Sequence, residues 1–287
     1  YFDETRTLPT QVHIGHLLLV KSIKIFRGFS CQRCSPILSS ELRRSSKVNF
    51  NPQQDRAPSV RQKGITTGAA VSEMPLKLHY FELPGRAETS RLCFTVGNVS
   101  YEDVIYEFAT WAENKAKMPF GQLPVLELED GKLLAQSGAI ERYVAKLAGL
   151  YPEDPLQAAL ADQAAFHMAD ILELFVPTFK LAPEEKIKAR EELLGGKVKE
   201  KLQQLSKLLE TSDEYVAGDK LSYGDVVVFV NLCNLVSGFL DGVPKDLLKD
   251  YPVLKAYRNR IACIPAIKEF YEKRGEGFRA AFKPDAA

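Results

Sequence analysis

Residues 76–91 read LKLHYFELPGRAETSR, and this stretch decides the fold. In its first six residues, Leu76, Leu78 and Tyr80 alternate with Lys77, His79 and Phe81, a period-2 pattern that predicts a short β-strand. Pro84 and Gly85 then predict a turn, and the apolar residues that follow recur at helical spacing. A strand that leads through a tight turn into a helix leaves Tyr80 facing an open edge. Tyr80 is therefore either a half-buried strand residue or the polar group of a site.

The residues that follow predict a small α/β domain over 75–151. Asp130 and Gly131 signal a hairpin, and Ser137 is placed to cap the last helix of the domain. The order β-α-β-α-β-β-α is that of a thioredoxin-like domain. Periodicity predicts helices or helical pieces over 86–96, 110–117 and 137–147, and further strands over 101–106, 123–128 and 132–135.

Two segments of this domain bring polar groups to the edge that Tyr80 faces. Pro124 opens a strand, where proline is tolerated only in special geometries, and a cis Leu123–Pro124 bond would explain it. Such a bond turns the backbone N–H and C=O of Leu123 toward that edge. Gln136 and Ser137 head a helix, whose unpaired N–H groups suit a carboxylate. Each residue also has a purely structural interpretation, as a loop end or a helix cap.

Trp111 and Lys115 lie four residues apart, so one helical face can present an indole N–H and an ammonium group together. Taken alone, Trp111 would be an ordinary core residue. Together with the two segments above, the pair predicts that one polar site forms at the end of the first strand.

Beyond a polar linker, residues 156–287 predict an all-α domain. Apolar residues at helical spacing predict helices over 156–179, 184–209, 247–264 and 265–273. Gly195 and Gly196 are expected to break or loosen the second of these helices. Ser222 and Asp225 form a capping-box pattern in front of an apolar helix that belongs at the centre of the domain.

Residues 1–73 differ in composition from the rest of the chain. They hold 11 Lys and Arg against 5 Asp and Glu, whereas the remainder holds 27 against 32. Rich in Ser, Arg and Gln, they predict a disordered leader, either an organelle transit peptide or a non-native extension before Met74. Cys31 and Cys34 form a CxxC without a second pair, so no zinc site is expected.

The composition of the body also limits its class. Its mildly acidic charge gives no reason to expect nucleic acid as a partner. No apolar run in the chain approaches the ~18 residues of a membrane-spanning helix. Five scattered cysteines do not form the framework of a secreted disulfide protein, so the body has a cytosolic character.

Taken as a spaced set, these motifs resemble the cytosolic glutathione transferases, and they look most like the sigma class. The resemblance covers about residues 76–280. It implies a thioredoxin-like N-terminal domain followed by an all-helical C-terminal domain, which is the fold class α/β plus all-α. The matching pieces are LHYF at 78–81, GRAE at 85–88, Trp111 with Lys115, GQLPVL at 121–126 and QS at 136–137.

The resemblance also implies site residues, with glutathione as co-substrate and no metal or cofactor. Tyr80 matches the catalytic tyrosine, and Arg86 matches the position that supports it electrostatically. Asp170 matches an acid that reaches the ligand of the other subunit, which implies a homodimer. The electrophile pocket is expected near Phe81, Leu83, Phe166 and Phe278. The implied glutathione-binding residues are Tyr80, Trp111, Lys115, Gln122, Leu123, Pro124, Gln136, Ser137 and Asp170.

The chemistry expected at this site is ionisation of a thiol. The glutathione thiol has an unperturbed pKa of about 8.5, so only a few per cent is thiolate at neutral pH. Lowering that pKa by about 2 units needs roughly 2.7 kcal/mol, which one or two donors to a charged acceptor can provide. A neutral tyrosine hydroxyl is such a donor. The thiolate would then attack a hydrophobic electrophile.

The sequence is compatible with several functions. The leading one is a cytoplasmic glutathione transferase of detoxification, or a plastid or mitochondrial one if residues 1–73 are a transit peptide. The same thiolate would serve a prostaglandin isomerase or a peroxidase. A non-catalytic relative, such as a lens crystallin or a ligand carrier, and a translation-factor domain are the other classes. The complete set of glutathione-binding residues argues against both of these.

Overall fold

The computed structural model describes residues 75–285. The prediction of a leader over residues 1–73 lies outside this range. Among the described residues, none of the helices has the length and apolar character needed to cross a membrane.

The N-terminal half is built on a four-stranded mixed sheet. The strands are β1 (Leu76–Phe81), β2 (Tyr101–Tyr106), β3 (Val125–Glu127) and β4 (Leu133–Ala135), in the spatial order β2-β1-β3-β4. β1 pairs in parallel with β2 and antiparallel with β3, which pairs antiparallel with β4. The predicted thioredoxin-like arrangement is confirmed.

Three helices belong to this sheet: α1 (Glu88–Val96), α2 (Trp111–Asn114) and α3 (Ser137–Leu147). α1 and α3 pack against each other, and the apolar residues Leu92 and Ile140 on them are fully buried. α2 is a single turn of helix between short 3₁₀ segments, because few of its residues are apolar enough to be buried. None of the residues of α2 is buried, and β2 beside it is mostly of intermediate exposure.

The rest of the described chain is helical, as predicted. Its helices are α4 (Pro155–Phe175), α5 (Pro183–Gly195), α6 (Lys197–Thr211), α7 (Tyr223–Val236), α8 (Pro252–Ala262) and α9 (Pro265–Arg274), followed by a 3₁₀ segment, Gly277–Phe282. The predicted helix over 184–209 is two helices, and the break falls at Gly196, as the glycine pair suggested.

α7 forms the centre of the helical half, and its N-terminus carries the predicted capping box. The Ser222 N–H donates to the Asp225 carboxylate at 2.7 Å, and the Ser222 side chain bonds the backbone of Asp225 in return. Asp225 also accepts from the Val216 N–H and the Tyr257 hydroxyl. Burial raises the pKa of Asp225, so these donors are needed to hold its carboxylate inside the core.

The two halves share an interface that fixes the geometry described below. Arg142 of α3 donates to Asp162 of α4 at 2.8 Å, and the Tyr223 hydroxyl of α7 bonds the same carboxylate. Asn234, near the end of α7, donates to the Gly85 carbonyl at 3.4 Å. The turn after β1 is therefore held between the sheet and the central helix.

Candidate active site

A cleft of about 530 Å³ gathers all but two of the predicted catalytic and glutathione-binding residues. Its volume falls within the roughly 300–1,000 Å³ of small-molecule sites. The two predicted residues that do not line it are Tyr80 and Asp170. The lining residues are Arg86, Trp111, Lys115, Phe120, Gly121, Gln122, Leu123, Pro124, Ala135, Gln136, Ser137 and Glu173.

Tyr80 lies next to this cleft, in contact with a residue that lines it. Its hydroxyl oxygen accepts a hydrogen bond from the Arg86 N–H at 3.0 Å. Its side chain is otherwise buried, with 7% of the residue exposed. A phenol can accept and donate at once, so the accepted bond fixes the oxygen and leaves the proton for another partner. Within residues 75–285, no protein group accepts that proton.

The environment of Tyr80 keeps its phenol neutral. Burial raises the pKa of Tyr80 above its ordinary value of 10.0, and this effect outweighs the hydrogen bond from Arg86 and the charge of Arg91, which lower it. A raised pKa means that the hydroxyl carries its proton throughout the neutral range. Tyr80 can therefore act as a hydrogen-bond donor and is not suited to act as a general base.

A glycine allows the turn to approach Tyr80 so closely. Gly85 has a φ of +47°, in the left-handed region that side-chain-bearing residues avoid. A Cβ atom at this position would lie 2.6 Å from the Tyr80 Oη and 2.7 Å from the Leu83 Cδ1. The next residue, Arg86, can donate its N–H to Tyr80 only because position 85 has no side chain.

The Arg86 side chain extends from this turn to the helical half. Its guanidinium group donates to the Glu173 carboxylate of α4 at 3.1 Å, and both side chains are more than half exposed. An exposed pair of this kind adds little to stability. Its effect is to hold one cation and one anion at the rim of the cleft, on the side that faces α4.

The opposite side of the cleft is the N-terminus of α3. The helix begins at Ser137, and the N-cap position is Gln136, which has a φ of +75° and makes no side-chain cap. The prediction that Ser137 caps the helix is wrong, because Ser137 already lies within the first turn. Without a side-chain cap, the first N–H groups of α3 lack the side-chain acceptor that a cap supplies, and they lie at the positive end of the helix dipole. An anion would find donors here.

The remaining predicted residues surround the cleft between these two ends. The Leu123–Pro124 peptide bond is cis, as predicted. Trp111 makes edge contacts with Phe81 and Tyr106, at 5.8 Å between ring centres in both cases, which fix its indole ring at the cleft.

Asp170 lies outside the cleft of its own chain. It is exposed on α4 and bonded to Lys201 of α6 at 2.9 Å, and this bond lowers the pKa of its carboxyl group. Its predicted role concerns a second subunit and stays a prediction. Phe166, also on α4, packs under the Arg142 guanidinium, 4.7 Å from the ring centre, and not beside Phe278.

Four lining residues were not predicted: Phe120, Gly121, Ala135 and Glu173. Gly121 and Ala135 are direct neighbours of the predicted Gln122 and Gln136, and Phe120 lies two residues before Gln122. The loop and the strand that carry the predicted residues therefore also bring these three to the cleft. Glu173 is different, because it reaches the site from the other half of the molecule. In the sequence, the only indication that Glu173 belongs to the site is its position three residues, or one helical turn, after Asp170.

Three half-exposed aromatic rings form an apolar surface beside the turn at Gly85. Phe239 lies 6.2 Å from Phe179 and 5.5 Å from Phe278, measured between ring centres, and each ring is 42–48% exposed. Phe239 follows α7 a few residues beyond Asn234, which bonds Gly85. We call these three residues the aromatic cluster. Contacting rings left in solvent form an exposed apolar patch, the kind of surface that apolar ligands and partners use.

Known proteins share both halves of this arrangement. Residues 76–146 match the model of the glutathione S-transferase N-terminal domain, and residues 160–274 match that of the C-terminal domain. The chain is also 36% identical to hematopoietic prostaglandin D synthase of Gallus gallus, over 69% of this chain and 96% of that protein. The chain belongs to the glutathione S-transferase family. Its cleft is therefore the candidate glutathione site of a family member.

Other members of the glutathione S-transferase family are similar to the same extent. Glutathione S-transferase P of Caenorhabditis elegans is 34% identical over 70% of this chain and 94% of that protein. The structure of prostaglandin synthase D of Nilaparvata lugens superposes with a TM-score of 0.64, at 30% identity, over 70% of this chain and 98% of that one. The similarity thus spans nearly the full length of relatives with two different activities in their names.

Proposed function

We propose that this protein is a glutathione transferase that binds glutathione in the cleft, ionises its thiol and directs the thiolate at a hydrophobic electrophile. The observation that carries the proposal is the Tyr80 hydroxyl. It is neutral, its oxygen is held by the Arg86 N–H, and its proton has no acceptor among the described residues. A hydrogen bond from this proton to a thiolate stabilises the ionised form over the thiol and so lowers the thiol pKa.

The cleft offers a partner for each charged end of glutathione. Lys115 and the Trp111 indole N–H suit the glycine carboxylate, at one end of the cleft. The backbone of Leu123 suits the cysteinyl part. Gln136 and the open N–H groups at the start of α3 suit the γ-glutamyl carboxylate. This placement leaves the thiol in the middle, on the side where Tyr80 and Arg86 meet.

The aromatic cluster is the proposed site for the electrophile. It borders the turn that carries Arg86, because α7 bonds that turn through Asn234 and leads directly to Phe239. Apolar rings at this place can hold an apolar substrate while the thiolate forms a carbon–sulfur bond and the leaving group departs into solvent. Among the four residues that the sequence suggested for this pocket, Phe278 is the one that belongs to the cluster.

The remaining features of the proposal follow the family resemblance. We assign the chain to the sigma class and to the cytoplasm, with detoxification as its role. We also propose a homodimer, in which the exposed Asp170 of one subunit meets the γ-glutamyl amine of the glutathione bound to the other. Because Asp170 is bonded to Lys201 in the monomer, the ligand amine would have to share or replace that partner.

Glutathione-dependent prostaglandin isomerisation is the second candidate. Several of the similar proteins are named as prostaglandin D synthases. The same thiolate serves both reactions, so product analysis with a prostaglandin endoperoxide separates them.

The test is conjugation of glutathione to an activated aryl halide by the wild type and by Tyr80→Phe. The variant removes one hydroxyl group and keeps the ring, so we expect normal folding. We expect a loss of about 25-fold in kcat/KM at pH 7, because a rise of the thiol pKa from about 6.5 to about 8.5 lowers the thiolate fraction from about three quarters to about 3 per cent. A wild type that binds glutathione but conjugates nothing would contradict the transferase proposal. A variant as fast as the wild type would remove Tyr80 from the mechanism.

A further inference from the structure

A buried carboxylate connects the turn after β1 to the C-terminal segment of the protein. Glu88, the first residue of α1, has no exposed surface and accepts four hydrogen bonds. Arg91 donates at 3.0 Å, the Tyr271 hydroxyl at 3.0 Å, and Arg279 twice, at 2.9 and 3.2 Å. A carboxylate with this many donors, most of them charged, is held in a single orientation.

Arg91 extends this connection to Tyr80. Its guanidinium group is completely buried and lies 5.7 Å from the centre of the Tyr80 ring. All five of its N–H groups are bonded, so neither the group nor its acceptors can shift independently. The acceptors are the carboxylates of Glu88 and Asp103 and the carbonyl oxygens of Phe81 and Leu83.

Arg279 extends the connection in the other direction, to the aromatic cluster. It belongs to the short segment Gly277–Phe282, and it also donates to Glu82 of the turn at 2.8 Å. The residue directly before it is Phe278, one of the three rings of the cluster. An open pocket of about 400 Å³ is lined both by Phe278 and Arg279 and by Glu82 and Pro84 of the turn. The hydrogen bond from Arg279 to Glu82 directly connects the segment that carries Phe278 to the turn.

We propose that Arg279 is a positioning residue for the electrophile site: through Glu88 and Arg91 it fixes the Gly277–Phe282 segment, and with it the Phe278 ring, at a set distance from Tyr80. The orientation of the electrophile relative to the thiolate then depends on a buried charge network that touches neither substrate. This inference rests on the proposed function, because it assigns the aromatic cluster to the electrophile.

A purely structural role for Arg279 makes a different prediction. In that case its loss would weaken the fold and reduce the binding of all ligands to a similar extent. A positioning role affects only the part of a ligand that reaches Phe278. Two ligands that share the glutathione peptide but differ in the substituent on sulfur therefore separate the two roles.

The experiment is calorimetric titration of the full chain with glutathione and with S-hexylglutathione. For Arg279→Met we expect about a tenfold loss of affinity for S-hexylglutathione, the order of magnitude that one lost apolar contact costs in a pocket. We expect the affinity for glutathione to stay within twofold of the wild type. The control for the chemical substitution is Arg260→Met on α8, an exposed arginine whose guanidinium donates to the Glu214 carbonyl, outside this network; it should change neither affinity.

A double-mutant cycle with Phe278→Ala sharpens the test. If Arg279 acts through Phe278, the double variant loses no more affinity for S-hexylglutathione than either single variant, whereas independent effects multiply. If Arg279→Met does not fold, Arg279→Lys, which keeps the charge with fewer donors, should show a smaller loss in the same direction.

The possible results are distinct. A selective and non-additive loss supports the inference. Equal losses for both ligands, multiplying effects in the cycle, or no loss at all would overturn it while leaving the proposed function standing. A wild type that binds neither ligand would overturn the proposed function and this inference together.

Discussion

The position of the Tyr80 hydroxyl depends on Gly85, and replacing Gly85 with alanine tests this dependence. The substitution has two costs. A left-handed residue with a side chain costs about 1–2 kcal/mol, because Gly85 has a φ of +47°. The new Cβ would also lie 2.6 Å from the Tyr80 Oη, a contact that the structure can relieve only by moving the turn or the ring.

Gly149→Ala is the matched control for this prediction. Gly149 has a φ of +68°, but a Cβ there meets nothing within 4 Å. The free energy of unfolding of this variant should therefore fall by the backbone cost alone, about 1–2 kcal/mol, and its activity should be normal. We expect the free energy of unfolding of Gly85→Ala to be about 1–3 kcal/mol lower than that of the control, because this is the usual cost of overpacking.

The activity of Gly85→Ala should fall by far more than its stability suggests. A displacement of about 1 Å between a donor and the reacting atom can cost about 10²-fold in rate. The assays are urea unfolding for both variants and initial rates of aryl halide conjugation at saturating glutathione. Equal stabilities of the two variants, or a Gly85→Ala enzyme with wild-type kcat, would refute the account of this turn.

Three further predictions concern other parts of the structure. Lys115→Ala should weaken glutathione binding about tenfold in a calorimetric titration, with a smaller change in kcat, because it removes one charged contact far from the thiol. Asp225→Asn should lower the free energy of unfolding by about 2–4 kcal/mol, since its amide cannot accept from all four donors, and should leave the pKa of bound thiol unchanged. Burial raises the pKa of the half-buried Glu141 from 4.5 to about 7. Between these pH values the Glu141 carboxyl group is protonated in the folded protein and ionised in the unfolded chain, so the free energy of unfolding falls as pH rises from about 4.5 through 7. Glu141→Gln should therefore gain about 1–2 kcal/mol over the wild type at pH 8 and little at pH 5, measured by urea unfolding, and an equal gain at both pH values would contradict this.

The sequence was most informative where local chemistry determines local structure. The alternation from Leu76, the turn at Gly85 and the capping box at Ser222 each depend on neighbouring residues, and each is confirmed. The cis bond before Pro124 was also predictable, because few other conformations place a proline at the start of such a strand. The resemblance to a known family then predicted that the polar residues of the cleft form a single site.

The sequence was least informative about contacts between the two halves. Glu173 pairs with Arg86 across 87 positions, and Arg279 reaches Glu88 across 191. In the sequence, Glu88 and Arg91 look like the solvated acid and base of an amphipathic helix. Both are completely buried, because the C-terminal segment folds back and supplies Arg279 and Tyr271 as partners. No local sequence pattern predicts a hydrogen-bond partner that lies so far away along the chain.

The error at Ser137 has a similar origin. A serine before an apolar helical pattern is normally the cap. Here the backbone of Gln136 takes the N-cap position with a positive φ, and the helix begins one residue earlier than the cap rule suggests. Unusual backbone geometry of this kind is concentrated at functional sites, which agrees with its place at the rim of the cleft.

The most direct test of the central claim is the pKa of the glutathione thiol in the complex with the protein. It can be followed by the ultraviolet absorbance of the thiolate in a pH titration of the wild type and of Tyr80→Phe, both saturated with glutathione. We predict a thiol pKa of about 6.5 in the wild type, about 2 units below the free value, and a return to about 8.5 in the variant. The same thiol pKa in both proteins would contradict the assignment of Tyr80 as the donor to the thiolate.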